Sequence, residues 1–400
     1  MLFEQEKLNA VGKKSSSLFE WRGQFTPEFI DYLLDVYGFD GMTVADPFCG
    51  SGTVLIESAK RGYKAFGCDI NPAAYMMSKF LEYAGWSYHG IKELVYKQGK
   101  AFFDIFVFGS GVLKDDDMNT EENRMKIVDA MKASSYAEGS RLYVPFILAV
   151  LFKLEKTRKK KPIRELIEEI TYELMCYLLD AGGECILYAQ CKDARCIGKD
   201  LKQSVDLIIT SPPYINVFNY HQNYRKLMER VGYDILPIAE GEFGSNRKHR
   251  ENRFKTVVQY TIDMGKTIES MAESLKYGGR IVLVVGREST VNGVPFCNSR
   301  IVKRCLEANP GIKLEDVAVR EFKNRFGETI VEDIIIARRV HPVKYFREEF
   351  YKKIAEDELK LAIESTEDPD AVHMMKDVII NICKIKSSKI ISHDEKERQN

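Results

Sequence analysis

Three acids, two glycines and a proline pair carry the chemistry legible in this sequence. Asp46-Pro47-Phe48-Cys49-Gly50-Ser51-Gly52-Thr53 sets an acid before a turn in which Gly50 and Gly52 let the backbone bend tightly and approach a ligand closely. A helix opening at Thr53 presents free N–H groups suited to a carboxylate or phosphate. A second acid, Asp69, closes the next strand 23 residues after Asp46, where it can hold both hydroxyls of a ribose. The pair points to a nucleoside-containing cofactor. The turn is neither GxGxxG nor a GKS/T phosphate loop, which disfavours NAD and ATP. Further on stands Ser211-Pro212-Pro213-Tyr214. Two prolines hold the backbone extended and remove two donors, so the Pro212 carbonyl and the Ser211 oxygen stand as acceptors. Tyr214, just beyond, can stack on a planar ring.

The elements that must position these residues follow from pattern. Residues 25–36 read as a helix with Thr26 as N-cap and Pro27 at its first position. Residues 43–46 and 64–69 read as strands, with a helix over 53–60 between them and another opened by Asn71-Pro72. That is the start of a parallel sheet covered by helices. Residues 80–180 carry helical periodicity without clear strands and read as an insertion. Strands resume at 185–189, 205–210 and 280–285, and 313–320 with 329–339 read as a terminal hairpin. Gly278 reads as the C-cap of the helix before the fifth strand. Beyond Pro342 the chain is charged and helical, over 344–363 and 369–385.

DPFCGSGT followed by GCDINP resembles the first two motifs of the amino-methyltransferases, which bind S-adenosylmethionine. The resemblance implies an α/β fold: a Rossmann-like seven-stranded class I methyltransferase sheet with a reversed last hairpin. Here it carries a helical insertion and a helical C-terminal tail. The catalytic domain is then 1–80 with 181–340, the insertion 81–180 is a candidate for target recognition, and 341–400 is an extension. The resemblance further implies that Asp46, Gly50 and Gly52 line the methionine end of the cofactor, with Phe48 and Thr53 also binding it. Asp69 holds the ribose, Asp193 meets the adenine, and Phe25 and Thr26 of the Gly23–Pro27 segment pack beside the cofactor. Phe25 also suits a hydrophobic staple on its own helix.

An exocyclic amine on a base is a poor nucleophile, because its lone pair is delocalised into the ring. Two acceptors binding its hydrogens, the Ser211 oxygen and the Pro212 carbonyl, favour a pyramidal nitrogen aimed at a methyl sulfonium. Positioning and electrostatics then supply most of the rate. Tyr214 is the expected stacking partner of a base turned out of the duplex. In the resembled family a serine in this motif goes mainly with N4 of cytosine, and an acid or asparagine with adenine N6 or guanine N2. The expectation is therefore a DNA cytosine-N4 methyltransferase of a restriction–modification system, acting on double-stranded DNA with a cognate endonuclease as possible partner. Adenine-N6 DNA and guanine-N2 tRNA methylation are the alternatives. The cofactor motif precedes the catalytic motif, the reverse of many N4-cytosine enzymes.

The 400 residues carry 59 basic and 59 acidic side chains, so any nucleic-acid surface must be local. The basic stretch Phe243–Lys255 is the candidate, through Arg247, Lys248, Arg250, Arg253 and Lys255. Arg158–Lys161 reads instead as an exposed helix face. Nine scattered cysteines without CxxC argue against disulfides and a zinc cluster, and the six histidines show no metal spacing. His221 reads as a polar helix position. With no signal-like amino terminus and no long apolar run, a cytoplasmic protein without a membrane span is expected.

Overall fold

In the computed structural model, residues 3–9, 18–134, 143–181, 185–216, 219–245, 249–323 and 327–391 are described. Nine strands occur among them: β1 (Thr43–Asp46), β2 (Lys64–Asp69), β3 (Leu187–Cys191), β4 (Val205–Thr210), β5 (Leu275–Gly286), β6 (Ser289–Val291), β7 (Val294–Phe296), β8 (Ile312–Lys323) and β9 (Thr329–Arg339). Seven form one sheet in the order β3-β2-β1-β4-β5-β9-β8, and β6–β7 form a separate ribbon. The first five strands of the sheet run parallel, and β9 lies antiparallel to both β5 and β8. The fold is therefore a Rossmann-like α/β sheet with a reversed terminal hairpin, as the sequence led us to expect.

The parallel strands are short and apolar because helices cover both faces. Ala45, Ile208, Ile281 and Leu283 face one apolar cluster, and Val44, Leu207, Ile209, Val282 and Val284 the other. Among the described residues between β2 and β3 the named elements are all helices, including the buried Val144–Lys156 and the long Ile163–Asp180. Their apolar residues join Leu55, Ile56 and Met77 in a single cluster. The insertion is thus packed onto the sheet's covering helices. Arg158–Lys161 is not on a helix face: it lies in the connection between the Val144–Lys156 and Ile163–Asp180 helices, where Lys159 and Lys161 both bind Glu169, and Asp115 pairs with Arg164 within the insertion.

Some boundaries differ from the pattern reading. β3 begins at Leu187 because its register pairs Ala65 with Leu187 and Asp69 with Cys191. Gly278 caps no helix. The helix Lys255–Ser274 ends with Leu275, which already pairs with Val205. Gly278 lies within β5 at φ +82°, where β4 and β5 shift register between Val205 and Leu207. Two C-terminal helices, Glu348–Ser365 and Pro369–Ile380, pack back on the domain. Tyr351 donates to Glu269 at 2.7 Å with Gly265 O at 3.2 Å from the same hydroxyl, and Arg300 and Arg304 grip the buried Glu358.

Candidate active site

The carboxyl ends of β1, β2 and β4 meet where the strand order reverses direction, the usual crevice of an open parallel sheet. A cavity opens there, with Asp46, Phe48, Gly50, Thr53, Asp69, Asp193 and Phe25 in its wall. Ser211 and Pro213 line the same cavity. The two constellations read from the sequence are therefore one site.

Asp46 is buried and accepts from Thr210 Oγ1 at 2.5 Å and Phe48 N at 3.1 Å. Burial, and less strongly the charge of Asp69, push its pKa up to about 7. Asp69 accepts from Asn71 N at 2.9 Å and Gly50 N at 3.2 Å, which ties the second acid to the glycine turn. Burial raises it to about 6, against those backbone donors. The turn needs glycine at both places for different reasons. Gly50 has φ +49°, and a Cβ on it would stand 2.8 Å from the Trp21 ring. Gly52 has φ +83° and backs onto Leu81 and Ser78, so it packs against the Pro72–Leu81 helix and lies outside the cavity wall.

Asp193 faces the cavity but is already engaged. Its Oδ1 accepts from Arg195 N and Nε, both at 2.9 Å, and its Oδ2 from Nη2 at 2.6 Å. The same guanidinium bonds Asp263 at 2.8 Å and the carbonyls of Ser388 and Lys389. The C-terminal extension is thereby clamped to the cavity wall. Thr26 has the extended backbone of an N-cap, yet its hydroxyl caps nothing and its Oγ1 is buried without a partner among the described residues. Phe25 packs on Phe29 of its own helix, the rings tilted at 5.6 Å, and also lines the cavity.

Tyr214 is not where a stacking partner was expected. Its ring lies over Gly286, where a Cβ would stand 2.8 Å away, and its hydroxyl reaches Ser211 Oγ at 3.0 Å and Glu332 at 3.3 Å. The stiff Pro212–Pro213 pair and the missing side chain at Gly286 make room for that placement. The aromatic surface on the cavity wall comes from Trp21 and Tyr220, nearly parallel at 6.4 Å, and from Phe243, edge-on to Phe48 at 5.6 Å. Gln24 holds the Trp21 segment to the turn by accepting from Trp21 N and Ser51 Oγ, each at 3.0 Å. His221 is no exposed helix position. It is buried in a short 3₁₀ turn, with Nδ1 2.6 Å from Glu242, itself a cavity residue. Spacing gave no signal for Trp21 or Glu242, whereas Gln24 lies inside the Gly23–Pro27 segment already singled out.

Of the basic candidates, Arg247 and Lys248 lie outside the described residues. Arg250 is exposed, Arg253 is half-buried, and Lys255 pairs with Glu251 at 2.9 Å. Their segment is anchored by Asn252, which donates to Met374 O at 2.8 Å on the C-terminal helix. No group of metal-ligating side chains occurs among the described residues, and no described helix is long and apolar enough to cross a membrane.

Residues 3–80 match the family described as DNA methylase. That stretch contains the glycine turn and both Asp46 and Asp69, and with the curated relatives it supports the amino-methyltransferase family. Over 294 residues the chain is 21% identical to the type II methyltransferase M.BsoBI of Geobacillus stearothermophilus, covering 60% of this chain and 57% of that protein. Over 56 residues it is 43% identical to the type II methyltransferase M.MvaI of Kocuria varians, 14% of this chain and 12% of that one. The chain thus spans little more than half of the first relative and far less of the second. Among solved structures, the rRNA methyltransferase aviRa of Streptomyces viridochromogenes is 11% identical over 83% of this chain and 93% of its own, with a TM-score of 0.33. Such a score is too low to build on, and the fold rests on the strand order.

Proposed function

We propose that this chain moves a methyl group from S-adenosylmethionine to the exocyclic amine of a base in DNA, with N4 of cytosine as the target. One observation carries the reading: Ser211 lines the same cavity as Asp46, Gly50 and Asp69. The donor set suits the cofactor. Two buried carboxylates held above their ordinary pKa beside one cavity favour a ligand bearing positive charge, as an ammonium and a sulfonium do. Asp46 and Gly50 would hold its methionine end and Asp69 its ribose, with Phe25 against it. Asp193, with a lone pair of Oδ2 not taken by Arg195, would meet the adenine amine. When bound, the cofactor supplies an electrophilic methyl group.

The chain's own residues then orient the amine. Ser211 Oγ and the Pro212 carbonyl accept its two hydrogens, which makes the nitrogen lone pair available. Trp21 and Tyr220 offer flat surface to a base withdrawn from its stack. Arg250 and Arg253 would meet phosphates. A restriction–modification role, a cognate endonuclease and a cytoplasmic setting belong to the same reading. The test is methyl-labelled S-adenosylmethionine offered to plasmid DNA and to bulk tRNA in parallel. Label in DNA, lost in Ser211→Ala, supports the reading. Label in tRNA alone overturns it.

A further inference from the structure

Behind Ser211 lies a buried polar chain that runs through the sheet to its reversed hairpin. Ser211 Oγ meets Tyr214 Oη at 3.0 Å. Tyr214 Oη meets Glu332 Oε1 at 3.3 Å and Val284 O at 3.4 Å. Glu332 Oε2 accepts from Arg320 Nη1 at 3.0 Å across the β8–β9 ladder. Arg320 is 4% exposed, donates from Nε to Leu8 O at 2.9 Å, and has the Phe29 and Phe322 rings within 4.3 and 4.6 Å.

The direction of the hydrogens in this chain is fixed by what each group can do. A guanidinium only donates, so its ion pair keeps Glu332 a carboxylate, and a carboxylate only accepts. If the Tyr214 hydroxyl pointed at Ser211, its oxygen would face the Glu332 carboxylate and the Val284 carbonyl with no hydrogen between them. The hydroxyl hydrogen therefore points into the sheet, and the Ser211–Tyr214 bond is donated by Ser211. With its hydrogen spent there, Ser211 offers lone pairs to the cavity.

We propose that Glu332, acting through Tyr214, is a positioning residue that makes Ser211 an acceptor toward the target amine. This inference rests on the methyltransferase reading above. It adds that the reversed hairpin, far from Ser211 in sequence, sets the polarity of the catalytic motif. In Glu332→Gln, Arg320 keeps the amide oxygen turned toward itself, and the amide N–H₂ is left to donate to Tyr214. That donor competes with Ser211 for the phenol oxygen and frees the Ser211 hydrogen to turn into the cavity, against the amine. Protonation of Glu332 acts in the same sense. The groups facing its carboxyl are Arg320 from β8 and Tyr214 from the loop after β4. Asp333, next along β9, points to the other face and pairs with Arg287 at 2.6 Å. Burial holds Glu332 above the ordinary carboxylate range, although Arg320 and Tyr214 pull it down.

The test uses the full chain with saturating S-adenosylmethionine and DNA, over pH 5 to 9. Glu332→Gln is expected to lose about tenfold or more in kcat, the scale of one misdirected hydrogen bond at a reacting centre, with the KM for cofactor within about twofold of wild type. Wild-type kcat should fall on the acid side, and that limb should be missing from the variant. Tyr214→Phe should cost a similar factor, and the double variant no more than either single. A Glu332→Gln enzyme with wild-type kcat and pH profile overturns the inference and leaves the methyltransferase reading intact. A wild-type protein that transfers no methyl group overturns both. Should the Gln variant not fold, the wild-type profile decides: a flat kcat through the acid range overturns the inference, and an acid limb supports it.

Discussion

Ser211 contributes a single oxygen to the proposed reaction, and its deletion is the sharpest residue-scale change. Ser211→Ala is expected to lower kcat about a hundredfold while cofactor binding, measured by calorimetry, stays near wild type. On the proposed reading Asp46 and Asp69 hold the cofactor, and the pH dependence of its binding then has a definite sign. Both acids stand above the ordinary carboxylate range when folded, near 7 and 6. A carboxyl with a raised folded pKa stabilises the fold fully only below its unfolded pKa, and that contribution is lost as pH rises through the folded value. Without ligand the protein should therefore lose thermal stability between about pH 4 and 7 from these two groups. A cationic ligand reverses the preference, because it needs the carboxylates ionised. The Kd for S-adenosylmethionine should fall as pH rises from 5.5 to 8. A pH-independent Kd would remove Asp46 from the cofactor's cationic end and Asp69 from its ribose.

At the scale of elements, the glycine turn and the terminal hairpin do unlike work. Gly50→Ala places a Cβ 2.8 Å from the Trp21 ring at a φ of +49°. A left-handed alanine costs about 1–2 kcal/mol before that clash. The expected result is a Kd for cofactor raised about tenfold, with transfer at saturation little changed. The turn, the acid that follows it and the SPPY segment could be read from residues close in sequence, because turn chemistry and strand ends are local. The strands and the terminal hairpin were legible for the same reason, whereas the reversed direction of that hairpin came from the family resemblance. Gly278 was misread because a helix stop and a strand irregularity both use a positive φ, and only the Val205–Leu275 pairing tells them apart. Tyr214 was misread as cavity-facing because Gly286, which lets its ring turn away, lies 72 residues later.

Across the whole molecule, the parts that sequence could not supply are contacts between distant segments. Arg195 reaches Ser388 and Lys389, and Arg320 reaches Leu8, and neither link has a signature in spacing. The Arg195 clamp joins Asp193 in the cavity wall, Asp263 on the longest helix and the C-terminal extension. Arg195→Gln would leave two buried carboxylates without their cation, at a cost of about 3–5 kcal/mol. A thermal melt should show a large fall in Tm, accompanied by weaker cofactor binding. An unchanged Tm would mean that the extension is not tied to the site through this residue. The balanced net charge also takes a spatial meaning here. The cavity wall carries Asp46, Asp69, Asp193 and Glu242 beside Arg22 and Lys192, and Arg250 stands exposed outside it.

The central claim is that Ser211 and Pro212 present an exocyclic amine to a methyl donor. The most direct measurement digests plasmid DNA methylated by the purified protein to nucleosides and identifies the one that carries the methyl group. The account predicts N4-methylcytosine. N6-methyladenine would keep the reaction and change the base, whereas 5-methylcytosine, a methyl on carbon, would contradict the account.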